Sequence, residues 1–162
     1  TFLIPVDAPS GMDASAALSV ETVLAPVDGS DASTAAVDDA VELADRYDAT
    51  VHVLFVLGRE VVLGMDADAV EEGDVAESVR TYLADVRSHA DDRGVQIATS
   101  TVHGFSRERK TTHPGSVVLD TADDIDADLV VVPRPSTDGP ATVLETVAEY
   151  VLGYATQPVL SV

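Results

Sequence analysis

The densest cationic run in this chain is Ser106-Arg-Glu-Arg-Lys110, and His113-Pro-Gly-Ser116 follows it closely. Guanidinium and ammonium groups beside the free N–H groups of a helix start are suited to holding an anion, such as a phosphorylated metabolite. Arg107, Arg109 and Lys110 are therefore candidate anion ligands. The other reading of the cluster is a solvated loop that pairs with acidic helices or with a dimer mate. A second possible cradle is Arg134 with Ser136, Thr137 and Gly139. Against it stand Pro133, Pro135 and Pro140, each of which lacks a backbone donor and favours a rigid surface loop.

Other chemistry finds little support. His52, His89, His103 and His113 share no metal-ligand spacing, and the carboxylates are spaced as solvated helix faces. Cysteine is absent, which excludes thiolate catalysis, disulfides and zinc–thiolate sites. No Gly-x-Ser-x-Gly elbow, phosphate loop of the GxxxxGK type or Ser/His/Asp constellation is recognisable. The chain offers no catalytic residue and no metal site, and an enzyme is not expected.

The elements that must position these residues alternate short β-branched runs with helical patterns from Thr22 onward. Such alternation argues for βαβ units and a parallel sheet covered on both faces. Strands are expected at Val23–Val27, Val51–Val56, Val95–Val102, Leu129–Val132 and Val159–Val162. The first helix places Val37, Ala40, Val41, Ala44 and Tyr47 on one face, with Ser30 or Asp31 as its cap. Residues 58–69 read as an irregular connector. A long helix then turns Val75, Val79, Leu83, Val86 and Ala90 inward. Gly115–Ile125 and Thr142–Leu152 give two further helices, the former with Val118, Ala122 and Ile125 as its buried stripe. The basic cluster then lies near the carboxyl ends of the strands. Right-handed crossovers favour an α/β, doubly wound sheet.

The composition sets further bounds. The 162 residues suit one domain, and 46% are apolar, too many for a disordered chain. No apolar run approaches a membrane span and no basic leader is visible, so a soluble, cytoplasmic protein is expected. Acidic residues number 29 against 9 basic ones, a formal net charge of −20. That charge makes nucleic acid an unsuitable partner. Lys110 is the only lysine, and the acid is spread along the whole chain rather than blocked into a tail. This resembles halophilic archaeal proteins. In dilute buffer such a charge repels itself, whereas at molar salt the Debye length shrinks to about 3 Å and the repulsion is screened.

Val23-Leu-Ala-Pro-Val-Asp-Gly-Ser30, Asp128-Leu-Val-Val-Val132, Thr146-Val-Ala-Glu-Tyr-Val-Leu152 and Gln157-Pro-Val-Leu-Ser-Val162 resemble a universal stress protein (UspA) domain. The resemblance covers residues 22–162. It implies a five-stranded parallel sheet of order 3-2-1-4-5 and, in many members, a homodimer formed through the terminal strand, here Val159–Val162. In nucleotide-binding relatives the aspartate matching Asp28 sits beside the adenosine, and the backbone near Val56 reads the adenine edge. Their Gly-x-x-Gly-x9-Gly-Ser/Thr run wraps the phosphates. Here those glycines fall on or near Pro133, Pro135 and Glu145, only Thr146 survives, and the span is a residue short. Binding of ATP or ADP in the usual mode is therefore not expected, and no cofactor is assigned. The pattern resembles the branch lacking the nucleotide motif.

Residues 1–21 stand outside this plan. Thr1-Phe-Leu-Ile-Pro-Val-Asp7 echoes Thr22-Val-Leu-Ala-Pro-Val-Asp28. The segment is either an appendage or an additional strand on a sheet edge or a partner subunit. The leading function is a non-enzymatic stress or regulatory module, a homodimer with an unknown protein partner. The second is a sensor of an adenine nucleotide or other phosphorylated ligand, with Asp28, Val56, Arg107, Arg109, Lys110, Arg134 and Thr146 as its site. A flavodoxin is disfavoured because aromatics make up only 4% and tryptophan is absent. A receiver domain would need a lysine after the fifth strand, where the given sequence has none.

Overall fold

Valine-rich segments with no charge to hydrate become strands wherever both their faces are covered. β1 (Thr22–Val27) is the clearest case, buried from Val23 through Val27. The computed structural model describes residues 19–103, 113–134 and 142–162. In chain order β1 is followed by α1 (Asp31–Tyr47), β2 (Thr50–Leu57), α2 (Arg59–Asp66), α3 (Glu72–Asp92) and β3 (Ile97–His103). Then come α4 (Pro114–Asp124), β4 (Leu129–Val132), α5 (Val143–Tyr154) and β5 (Val159–Ser161). The strands form one parallel sheet of order β3-β2-β1-β4-β5, the doubly wound arrangement expected from the resemblance.

The pleat divides the core in two. On one face Val23, Ala25, Val27, Val51 and Val53 pack with Val37, Val41 and Ala44 of α1 and Val79 and Val86 of α3. On the other, Leu24, Leu54, Val56 and Val130 pack with Val118 and Ala122 of α4 and Leu144, Val147 and Val151 of α5. The start of β1 is tied to the start of β4 by Asp128. Its Oδ2 accepts the Glu21 and Thr22 N–H groups at 2.9 and 3.0 Å, and its own N–H donates to the Thr22 carbonyl at 2.9 Å.

Several boundaries differ from expectation. Residues 58–69 contain a helix, α2, which buries Val62 and packs Val61 and Met65 against the core. Tyr47 does not face inward. It ends α1 beyond the sheet and is 47% exposed. β3 begins at Ile97, because Val95, though buried, still belongs to the turn that closes α3 on Ala90. α4 starts one residue early at Pro114 and ends at Asp124, with Ile125 only partly buried. α5 begins at Val143, Thr142 being its cap, and runs two residues further than expected. The acidic pairs Asp38-Asp39, Glu71-Glu72, Asp91-Asp92 and Asp123-Asp124 are all exposed.

The two sheet edges are unequal. β3 is long, and Arg87 reaches it from α3, donating to the Ile97 carbonyl at 3.4 Å and to Thr99 Oγ1 at 3.3 Å. β5 has three residues, with Leu160 38% exposed. Among the described residues no helix is long and apolar enough to cross a membrane.

Candidate functional site

β1 is central and its two neighbours lead their following helices to opposite faces of the sheet. The crevice beyond the carboxyl ends of β1 and β4 is thus a topological switch point, the place where open α/β sheets accept ligands. Asp28 begins the turn after β1. Its Oδ1 accepts the Ser30 N–H at 3.0 Å, which folds the carboxylate back over the turn. Gly29 has φ +85°, a left-handed conformation in which a side chain would be strained. Ser30 caps α1, its hydroxyl accepting the Ser33 N–H at 3.2 Å. Ser33 is fully buried, its hydroxyl donating to the Ser30 carbonyl at 2.9 Å.

Across the rim, the end of β2 meets the start of α5: a Cβ built on Gly58 would lie 3.6 Å from Val143. The Val56 side chain is buried in the α4–α5 core, so only its backbone is available to a ligand. Pro133 is buried at the end of β4 and offers no donor. The Arg134 side chain is exposed, but its backbone N–H is taken up by the Val162 carbonyl at 2.6 Å, prolonging the β4–β5 ladder. Thr142 caps α5 by accepting the Glu145 N–H at 3.3 Å. Thr146 lies half-buried in the first turn of that helix.

Sequence reasoning missed the caps at Thr142 and His113. His113 Nδ1 accepts the Gly115 N–H at 3.0 Å, closing the start of α4 with an imidazole. The His113 ring stacks on Tyr150 at 4.4 Å, and Tyr150 meets Tyr154 at 4.6 Å. Gly115 is buried against Tyr150, and any Cβ there would collide with that ring. The pattern His-Pro-Gly before an apolar run was the available signal for the cap; nothing in the sequence pointed to the ring stack.

Asp28, Val56, Arg134 and Thr146 all belong to the carboxyl-end rim, at a strand end or in the turn or helix that follows it. Arg107, Arg109 and Lys110 lie outside the described residues, as do Pro135, Ser136, Thr137, Gly139 and Pro140. Among the described residues no group of three or more acidic or histidine side chains is arranged to hold a metal ion.

A five-stranded parallel sheet covered by helices on both faces, with a crevice at its switch point, defines a protein of the doubly wound α/β class. The family model of the Universal stress protein family matches residues 19–162, and the chain belongs to that family. It is 29% identical over 144 residues to "Universal stress protein MJ0531" of Methanocaldococcus jannaschii, covering 86% of this chain and 80% of that protein. It resembles the crystal structure of a universal stress family protein from Burkholderia pseudomallei at 25% identity, with a TM-score of 0.65. That likeness covers 90% of this chain and 98% of the other. A universal stress protein crystallised in complex with cAMP shares the fold at 23% identity and a TM-score of 0.64, covering 89% and 97% of the two chains.

Proposed function

We propose that this chain is a non-enzymatic stress-response module that works as a homodimer and does not hold ATP in the manner of its nucleotide-binding relatives. One observation carries the reading: among the described residues of the rim, several backbone donors that a phosphate could use are already engaged or missing. α1, α4 and α5 are capped by Ser30, His113 and Thr142. Pro133 has no N–H, and that of Arg134 serves the β4–β5 ladder. A phosphate would have to displace side-chain caps each worth about 1 kcal/mol. Glu145, in the first turn of α5, adds a carboxylate where the family motif has glycine.

The dimer reading rests on β5, a short apolar strand at the sheet edge, with Leu160 and, on α5, Leu152 exposed. The net charge of −20 supports a protein that folds and works in a salt-rich cytoplasm. Residues 22–162 are taken as the working domain and residues 1–21 as an extension to it.

A second reading is favoured by the relative that holds cAMP: a sensor for an adenine nucleotide with few phosphates, or another phosphorylated ligand, on the same rim. Asp28, the Val56 backbone, Arg134 and Thr146, with Arg107, Arg109 and Lys110, are its ligands. Calorimetric titration with ATP, ADP and cAMP, with magnesium in molar KCl, separates the two. The expected result is no heat with ATP. Micromolar binding of ATP would overturn the first reading, and binding of cAMP alone would establish the second.

A further inference from the structure

On the sheet face that carries α4, away from the ligand rim, β2 and β3 bring a serine and a histidine together. His52 Nε2 and Ser100 Oγ are 2.7 Å apart. The pleat accounts for the meeting. His52 stands opposite Ala98, and Ser100 lies two residues further along β3 on the same face. A methyl group is all that Ala98 presents to the imidazole, so the ring is free to lean along the strand onto the hydroxyl.

The surroundings suit a base more than a cation. Burial lowers the His52 pKa, and no charged group contributes to the shift. With the ring proton on Nδ1, Nε2 accepts from the serine. Other hydroxyls are committed differently: Ser33 Oγ and Thr34 Oγ1 donate to the Ser30 carbonyl. Among the described residues, Ser100 holds the one hydroxyl bonded to an imidazole nitrogen. Ser100 is only partly buried, and β3 is an edge strand, so a small reagent can approach it.

We propose that Ser100 is an acyl-acceptor site, with His52 as its general base, for small uncharged activated acyl esters or thioesters. Ser100 Oγ attacks the acyl carbon and its proton passes to His52 Nε2. A C–O bond forms to the serine as the bond to the leaving oxygen or sulfur breaks. The departing group keeps that electron pair and takes the proton back from His52. The products are an O-acylserine and a free alcohol or thiol, with no oxidant or reductant involved. An uncharged donor is favoured because a net charge of −20 repels anionic ones. The event is a single modification, distinct from any binding at the rim.

The test treats the full chain with p-nitrophenyl acetate in molar KCl at pH 7.5 and follows intact mass and peptide maps. One acetyl group on Ser100 is expected, absent in Ser100→Ala and slowed about a hundredfold in His52→Gln. Label confined to Lys110, the amino terminus or other sites would overturn the proposal, as would a wild-type rate in a folded His52→Gln. Should His52→Gln fail to fold, the wild-type pH profile decides. Acetylation of Ser100 that falls with a single ionisation below neutrality supports the site. A rate rising tenfold per pH unit from 7 to 9 without a plateau, the mark of hydroxide alone, sinks it.

Discussion

At Gly115 a single hydrogen atom sets how closely α4 approaches α5. The ring of Tyr150 fills the space where a Cβ would stand, and His113 stacks on the same ring while capping the helix. Gly115→Ala is expected to destabilise the protein by about 1–3 kcal/mol, the usual cost of overpacking. Urea denaturation in molar KCl measures it. Gly153→Ala supplies the contrast, because a Cβ there meets nothing within 4 Å. It should be neutral or stabilising by up to about 1 kcal/mol through helix propensity. His52 gives a second prediction at this scale. Its pKa is depressed by burial, so the folded state binds its proton less readily than the unfolded chain does. Its contribution to stability is fully present above the ordinary histidine value of about 6.5 and is lost as pH falls through the lower folded value. Wild type minus His52→Gln stability, measured from pH 8 to 5, should therefore decline on acidification. A flat difference would contradict the assignment.

Among the elements, the edges of the sheet decide how copies of the chain can meet. Arg87 engages the Ile97 carbonyl on the outer side of β3, whereas β5 keeps a short apolar edge with Leu160 half in solvent. If β5 joins two protomers, Leu160→Asp should convert a dimer to a monomer in light scattering with little change in helix content. A dimer that persists would move the interface elsewhere. The elements were largely legible from sequence, because buried parallel strands such as Val23–Val27 and Leu129–Val132 are unbroken apolar runs. α2 was not: its eight residues are interrupted by Gly64, end on Asp66 and are followed by Ala67-Asp68, so no sustained helical pattern emerges. At the site, the Asp28-Gly-Ser turn was readable because a left-handed residue and a cap leave a local signature. The His113–Tyr150 stack and the His52–Ser100 pair were not, since each joins segments far apart in the chain and depends on packing alone.

For the molecule as a whole, charge dominates. Within the described residues the cations are partly gathered at the α1–α3 seam, where Arg93 pairs with Glu42 and Asp45, and Arg46 with Glu42. Hydrogen bonding from Arg93, and then from Arg46, holds the Glu42 carboxyl below the usual carboxylate range. Such exposed pairs are individually weak and cannot offset a formal charge of −20. Raising KCl from dilute buffer to about 2 M is expected to stabilise the fold by a few kcal/mol, on the order of 10 °C in melting temperature for a domain of this size. A melting temperature that ignores salt would remove the case for a salt-adapted protein.

The latch between Asp128 and Thr22 spans 106 residues, and it sets a timetable for the newborn chain. β1 emerges from the ribosome first among the described strands, yet it is the middle of the finished sheet. At roughly 5–20 residues per second, its β4 flank stays without a partner for about 5–20 s of synthesis. Throughout that interval Val23-Leu-Ala-Pro-Val27 is half a template, able to pair with any extended strand nearby. A burst of demand for this protein would therefore also be a burst of demand for whatever shields nascent chains.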